Sequence, residues 1–468
     1  MPVFQLTKTA AAVFLAASLS ACSLAPTYKQ PAAPVPTDWP DLKANSAGVP
    51  IGLADLVADK ALLDLVAAAV DHNRDLRKAL LNVEAARAQY GIQRAEQLPS
   101  ISAQANGTRQ RTAADLSQTG RASTTSVYQA GLGVTAFEVD LFGRLRNLSE
   151  SALQEFFAIE QNAEAARISL SSEVMQAYIT RNSAQSRLKL TERTLAAREK
   201  SLALTEQRRA AGAATALDLE DARGLGEQAR ADLEQVRREL RQANNALGLL
   251  TGSHAGAEQL RQTREGASIF ALRDIGAGAP SDLLRDRPDI LAAENSLKAR
   301  HADIGVARAA FFPRLSLTAF LGSSSPELSD LFRGSSRAWS FAPQLTMPLF
   351  DGGRNQANLE LAVVRRDIAV AQYEGAIQTA FREVADALAA NDTLRNEVTY
   401  RKALLESSQR SLALSEARYK GGVDSSLRYL DAQRTSYDNE LAYINIVAQR
   451  QTAIVSLFKA LGGKWYLE

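Results

Sequence analysis

Apolar and polar residues follow two different periods along this chain, and the switch between them occurs twice in the same context. Up to Pro99, and again up to Pro313, apolar and alanine positions recur at helical spacing. Each proline then closes its run, because the residue before a proline is pushed to extended geometry. Beyond it the period drops to two. Ile101, Ala103 and Ala105 alternate with Ser102, Gln104 and Asn106, while Leu315, Leu317, Ala319 and Leu321 alternate with Ser316, Thr318 and Phe320. Returning runs follow. Tyr128, Ala130, Leu132 and Val134 oppose Gln129, Gly131, Gly133 and Thr135. Trp339, Phe341, Leu345, Met347 and Leu349 oppose Ser340, Ala342, Gln344 and Thr346. The pattern predicts strands over 98–108, 125–142, 313–322 and 338–350, paired as two hairpins across the Ser-, Thr- and Gly-rich links 109–124 and 322–337. Taken singly, such a strand fits a half-buried soluble sandwich as well as a membrane barrel, whose strands also run to about ten residues.

Between the strand pairs the text is helical. Leu53–Gln97 reads as helix, and the proline-free runs 144–209 and 354–420 read as two long ones. Roughly 65 residues at 1.5 Å rise make a rod of about 100 Å. Leu188, Leu195 and Leu202, and Val398, Leu405 and Leu412, mark a seven-residue stripe on each rod, as in coiled coils. Turns at Ala211–Ala214 and Gly421-Gly422 lead to return helices over 214–250 and 424–461.

The whole arrangement is duplicated. Ser201–Arg223 and Ser411–Gln433 align without a gap, with Glu206/Glu416, Arg208/Arg418, Gly212/Gly422, Leu217/Leu427, Asp221/Asp431 and Ala222/Ala432 coinciding. Gly91/Gly305, Arg94/Arg308 and Pro99/Pro313 match in the same way ahead of the strands. A fixed internal repeat dictates architecture before any single motif does. The chain therefore divides into a leader 1–21, an extended tether 22–52, a first repeat 53–250, a linker 251–280, a second repeat 281–462 and a tail 463–468. The fold class is mainly α with a β-barrel part.

Four strands cannot close a barrel, and an open edge would leave unpaired backbone groups in hydrocarbon. If these strands span a membrane, several chains share one barrel, and a trimer supplies twelve strands.

Composition adjusts this picture in three places. Formal net charge is +2, or one less if Lys8 leaves with the leader, so no basic footprint for nucleic acid exists. Aromatics are 6%, which suits long helices packed through small side chains. The single cysteine, Cys22, follows a short apolar run ending Leu19-Ser20-Ala21. That run is too short to span a bilayer and reads as a signal peptide. Leu-Ser-Ala-Cys resembles the lipobox of bacterial lipoproteins, which implies a lipid on Cys22, and Ser23 fits outer-membrane sorting. His72, His254 and His301 lack metal-ligand spacing, and neither a phosphate-binding glycine loop nor a nucleophile elbow occurs. The expectation is a protein that is not an enzyme, with no metal and no cofactor beyond the lipid.

The lipobox, the duplicated helix–hairpin–long helix–turn–helix order and the text RYKGGVDSSLRYLDAQR together resemble the TolC-like outer membrane factor family, in its lipoprotein branch associated with resistance–nodulation–division efflux pumps. FEVDLFGR at Phe137–Arg144, LRDRPD at Leu284–Asp289 and LFKALGG at Leu457–Gly463 belong to the same likeness, which covers essentially the whole chain. The resemblance implies a homotrimeric outer-membrane duct: a twelve-stranded barrel in the outer-membrane lipids, continued by a helical barrel through the periplasm. It implies passive export of drugs or other small toxic compounds, with a periplasmic adaptor and an inner-membrane resistance–nodulation–division transporter as partners. Metal-ion efflux and type I protein secretion are alternatives within the duct class, and a periplasmic coiled-coil scaffold without a pore is one outside it.

By the same resemblance Leu427, Asp431 and Arg434 line a periplasmic gate, with Asp424 beside them. Tyr419 and Asp218 form an inter-subunit lock. Arg428 stands where some members carry a second acidic ring, and Asp424 where the best-known member is basic. Spacings of four and three place Leu427, Asp431 and Arg434 on one helix face. Asp431 and Arg434 also fit an ordinary i, i+3 pair on a solvated helix.

Overall fold

A computed structural model of the chain describes residues 23–36, 52–117, 120–252, 272–273 and 283–463. The expected leader, Cys22, the later part of the tether, most of the linker and the tail beyond Gly463 lie outside the described residues.

The first repeat begins with three helices, α1 (Leu53–Leu56), α2 (Lys60–His72) and α3 (Arg74–Ala95), followed by strands β1 (Ile101–Thr112) and β2 (Ser123–Val139). The long helix α4 (Arg144–Ala210) and its return α5 (Ala216–Leu250) complete it. The second repeat runs through α6 (Leu283–Asp286), α7 (Pro288–Ala309), β3 (Arg314–Ser325), β4 (Arg337–Thr346), the long helix α8 (Arg354–Lys420) and its return α9 (Ser426–Ala460). No described helix is long and apolar enough to cross a membrane. The chain divides into two compact units, one holding 82–160 and 292–374 with the start of the tether, the other holding 33–81, 161–291 and 375–468.

The first unit is organised by one antiparallel sheet in the order β1-β2-β3-β4. Its register lines up the apolar positions. Ala103, Leu132, Leu321 and Trp339 are successive cross-strand partners, and so are Ile101, Val134, Ala319 and Phe341. Leu132, Leu321, Trp339, Ile101 and Phe341 are nevertheless exposed, Trp339 at 77%. An apolar face of this breadth facing outward marks a surface that something else covers. Gly131 and Gly322 sit opposite each other, and a Cβ on Gly131 would strike the Leu321 carbonyl oxygen. Glycine there lets β2 and β3 approach closely.

Three features depart from the sequence-based expectation. The pairing of β2 with β3 shifts register between Val134 and Phe137, where Ala136 takes a φ of 51°. Such a bulge re-aims every later side chain, and the apolar positions change phase with it, from Leu132 and Val134 to Phe137 and Val139. The fourth strand ends at Thr346 and not at 350, because its partner β3 begins only at Arg314, the residue that pairs with Thr346. The helix expected over 53–97 is broken twice. Asp59 turns its carboxylate to the Ala61 N–H (2.9 Å), and Asn73 accepts from the N–H groups of Asp75 and Leu76 (2.9 and 3.0 Å), so each caps a new helix.

The described start of the tether docks on the first unit by polar contacts. The Ser23 hydroxyl donates to Asn147 (2.9 Å), Arg308 donates to the Leu24 carbonyl (3.0 Å), and Gln30 donates to the Tyr373 hydroxyl (2.8 Å). The start of α4 is fixed nearby, where Glu138 takes a bidentate Arg144 at 2.7 and 2.8 Å and Asp140 accepts the Arg146 N–H.

In the second unit Leu53, Leu56, Leu62, Met175, Leu247, Ile454 and Phe458 are fully buried. Tyr178 donates to Asp59 at 2.6 Å, while burial and that carboxylate push its phenol up to about 12. Arg287 is buried but satisfied by Asp289, Glu383 (2.9 Å) and the Ala460 carbonyl (2.9 Å). On α4 the buried heptad is not the leucine stripe. Ala184, Thr191, Arg198 and Thr205 are buried, whereas Leu188, Leu195 and Leu202 are half-buried. Thr191 and Thr205 return their hydroxyls to carbonyls four residues back (2.9 and 3.0 Å), which lets small polar residues lie against a neighbouring helix without an orphaned group.

Candidate functional site: the two glycine-turn hairpins

The turns that join α4 to α5 and α8 to α9 both lie in the second unit. Each long helix ends in the same bond pattern. The N–H of Ala213 reaches the Arg208 carbonyl (2.7 Å), and that of Val423 reaches the Arg418 carbonyl (2.9 Å). Gly212 and Gly422 both have a φ of 74°. This is the glycine-terminated helix end, in which a left-handed residue lets a later N–H satisfy an otherwise unpaired carbonyl.

The return helices start differently. Thr215 and Asp218 form a reciprocal capping box at the head of α5, with Thr215 N–H to Asp218 at 2.8 Å and Asp218 N–H to Thr215 Oγ1 at 3.1 Å. Ser425, at the head of α9, makes no side-chain cap. Its third helical residue is Arg428, which has no acceptor to offer. Instead Asp424 takes Arg418 in a bidentate pair (2.6 and 3.0 Å) and Arg428 at 3.6 Å, closing the turn from the opposite side. The Arg418 guanidinium holds the Asp424 carboxyl below its ordinary range.

Two contacts join the hairpins. The Ser426 hydroxyl donates to the Asp218 carboxylate, and that bond, followed by those from Thr215, holds its pKa low. Arg208 donates to the Tyr419 carbonyl (3.0 Å) and lies 4.1 Å from the centre of its ring. The Tyr419 ring also stacks on Tyr429 at 5.2 Å with planes 18° apart. Tyr419 is thus only 4% exposed. Within one chain Asp218 and Tyr419 are not brought together: the partners of Asp218 are Thr215 and Ser426, and the Tyr419 ring is held by Arg208 and Tyr429.

Leu427, Asp431 and Arg434 do share one face of α9, and all three are exposed, Leu427 at 69%. Arg434 donates to Asp431 at 2.5 Å. The opposite face, with Tyr429, Leu430, Gln433 and Tyr437, is buried. Sequence reasoning did not single out Arg208, Ser426 or Tyr429. The Arg208/Arg418 match was visible, but the two arginines act differently: Ala214 stands where the second repeat has Asp424, so Arg208 has no carboxylate of its own turn and reaches the other hairpin.

The sequence profile described as "Outer membrane efflux protein" matches residues 65–253 and 279–463. The chain belongs to the outer membrane efflux protein family. It is 55% identical over 457 residues to outer membrane protein OprJ of Pseudomonas aeruginosa, covering 97% of this chain and 95% of that protein. It is 43% identical over 458 residues to the toluene efflux pump outer membrane protein TtgC of Pseudomonas putida, covering 96% and 94%. Among solved structures, the open state of the Neisseria gonorrhoeae MtrE outer membrane channel overlays with a TM-score of 0.84 at 36% identity, covering 94% of this chain and 98% of that one. As a member of this efflux family, the protein resides in the outer membrane and serves as the exit duct of a tripartite efflux system. The exposed apolar face of its sheet is then the face a bilayer covers.

Proposed function

We propose that three copies of the chain close one twelve-stranded barrel and form a duct for drugs or other small toxic compounds, gated by the α8–α9 hairpin. The observation that carries this is the sheet itself: four strands, two unpaired edges and an outward apolar face. Unpaired edges in hydrocarbon cost several kcal/mol per backbone group, so β1 of one copy pairs with β4 of the next. Three copies give an even strand number within the range membrane barrels use. Acylation of Cys22 tethers each copy to the outer membrane, an anchor that needs the barrel beside it because a single lipid holds weakly. A periplasmic adaptor and an inner-membrane resistance–nodulation–division transporter supply cargo and energy. The name of TtgC attaches toluene to that relative's pump, and small apolar or amphiphilic compounds are the matching class here.

In the assembled duct three Leu427, Asp431 and Arg434 faces converge on the axis, with Asp424 at the turn, and Tyr419 and Asp218 hold neighbouring copies together. Planar-bilayer recording of the detergent-extracted protein tests the reading, beside a native mass three times that of the chain. A low resting conductance is expected, rising several-fold in the Tyr419→Phe/Asp431→Asn double variant. Absence of channel events would sink the duct. An unchanged conductance in the double variant would remove these two residues from the lock.

A further inference from the structure

The outward face of the sheet changes character along its strands. Residues paired across an antiparallel ladder point to the same side, so the register can be followed row by row toward the two turns. Beyond Ala103, Leu132, Leu321 and Trp339 comes the row Ala105, Ala130, Ser323 and Arg337. The next holds Gly107, Tyr128 and Ser325, with the Tyr128 ring lying against Gly107. After it come Arg109 with Ser126, and Arg111 with Thr124. Three arginines therefore stand on the apolar face, all toward the turn end. At the other end, where the chain continues into the long helices, the same face finishes in Phe137, Val139, Leu315 and Leu345, without a charge.

Arg109, Arg111 and Arg337 are exposed, and none of their side chains has a hydrogen-bond or ion-pair partner among the described residues. The carboxylates of this end stand in the turns, at Asp115, Glu327 and Asp330, and Asp330 is already held by Arg333 at 3.1 Å. An arginine on the lipid side of a barrel costs little only near the edge of the hydrocarbon. Trp339 and Tyr128 mark that edge, because rings with a polar atom settle at the interface. The guanidinium groups thus lie at headgroup depth. On the lumen side they would meet water and passing ions, but on this side they meet lipid. The headgroup anion that matches them is phosphate, since the planar fork of arginine takes two of its oxygens at once.

We propose that Arg109 and Arg111 of one copy, with Arg337 of the next, bind the phosphate groups of the outer-leaflet glycolipid. The inference rests on the barrel reading, because β4 of the next copy must pair with β1 to bring Arg337 beside the other two. Antiparallel pairing keeps all three on the outward face, and the site recurs three times around the barrel. The leaflet follows from the asymmetry of the two ends. The helices leave one end for the periplasm, so the arginine-bearing end faces the outside, where the lipid carries phosphorylated sugars.

Native mass spectrometry of the full-length protein in detergent, titrated with bisphosphorylated lipid A, tests the site. Trimers are expected to retain up to three lipid A molecules. Lipid A stripped of its phosphates, and zwitterionic phosphatidylethanolamine, are expected to bind at least about tenfold more weakly. Arg109→Gln/Arg111→Gln is expected to lower lipid A affinity at least about tenfold, and Arg337→Gln by less. These side chains have no partner to lose, and the trimer mass in the same spectrum reports assembly. Arg314→Gln, on the polar face of β3 opposite Thr346, is expected to change affinity less than about twofold. Millimolar inorganic phosphate is expected to leave the lipid in place; full displacement would make this a site for free anions and overturn the lipid reading. Equal retention of intact and stripped lipid A, or affinity unmoved by the double substitution, would overturn the site and leave the barrel standing. A spectrum without trimers would sink the barrel reading, and the site with it.

Discussion

The two glycine-turn hairpins have one backbone design and two ways of being held. In the first, the turn is closed by its own cap: Thr215 and Asp218 satisfy each other, and the contacts stay within one turn of helix. In the second, the cap is absent and closure falls to a charged clasp of Arg418 on Asp424. A capping box ties side chains to backbone N–H groups within one turn of helix, whereas the clasp joins two side chains across the turn. The links between them, Arg208 on Tyr419 and Ser426 on Asp218, start from the rigid hairpin and end on the other, or the reverse. The difference teaches which half can move. On the proposed reading, the hairpin held by an internal cap serves as wall, and the one held by contacts to that wall serves as gate.

Removing Arg208 should give the largest effect, because its guanidinium supplies both a charged hydrogen bond and a cation–π contact, about 2 kcal/mol together. Arg208→Ala is expected to raise single-channel conductance several-fold. Arg418→Ala, the matching residue of the other repeat, is expected to change it far less, since its partner Asp424 lies in the same hairpin. Equal effects of the two would abolish the distinction between wall and gate.

Much of this was legible in the residues. The duplication and the switch from helical to two-residue period announce the two-repeat, mainly helical fold with a four-stranded sheet, because both are properties of local spacing. The bulge at Ala136 is marked only by a change of phase in the apolar positions, from Leu132 and Val134 to Phe137 and Val139, which a two-residue period by itself does not place. The helix breaks at Asp59 and Asn73 escaped because a lone Asp or Asn also sits on helix surfaces. On α4 a buried stripe of Thr191, Arg198 and Thr205 reads as solvated text, and only packing reveals that it faces another helix. Of the candidate site, the shared face of Leu427, Asp431 and Arg434 followed from spacing. The partner of Arg208 did not, because it depends on what Ala214 lacks and on a second hairpin far along the chain.

A smaller effect separates the caps. Thr215→Ala should cost about 1 kcal/mol and speed amide exchange in the first turn of α5 about fivefold. Ser425→Ala removes a side chain that caps nothing, so exchange at the head of α9 should change less than about twofold. The pH dependence has a definite sign. The carboxyl of Asp218 is held below its ordinary value by Ser426 and Thr215, so its contribution is present at neutral pH. It is lost as pH falls from about 4 through the lowered folded value. Exchange in the first turn of α5 should therefore accelerate on acidification, and Asp218→Asn should flatten that response. An acid response that survives Asp218→Asn would place the titrating group elsewhere.

The smallest stability effect belongs to the pair on the exposed face. Arg434 and Asp431 are close, but both side chains are more than half exposed, and such i, i+3 pairs contribute about 0.3–0.5 kcal/mol. Arg434→Gln should therefore leave amide exchange along α9 nearly unchanged. On the gate reading its consequence lies in the field: three Asp431 carboxylates lose their counter-charges around one axis, and a narrow passage lined by one sign of charge concentrates ions of the other. The reversal potential under a potassium chloride gradient should shift toward the potassium potential, and shift back in Arg434→Gln/Asp431→Asn. Leu217 and Asp221 form the matching face of the first hairpin, with Gly224 in the place of Arg434. Asp221→Asn should leave the reversal potential where it was. A shift with Asp221→Asn, or none with Arg434→Gln, would mean that the second hairpin does not set the narrowest part of the path.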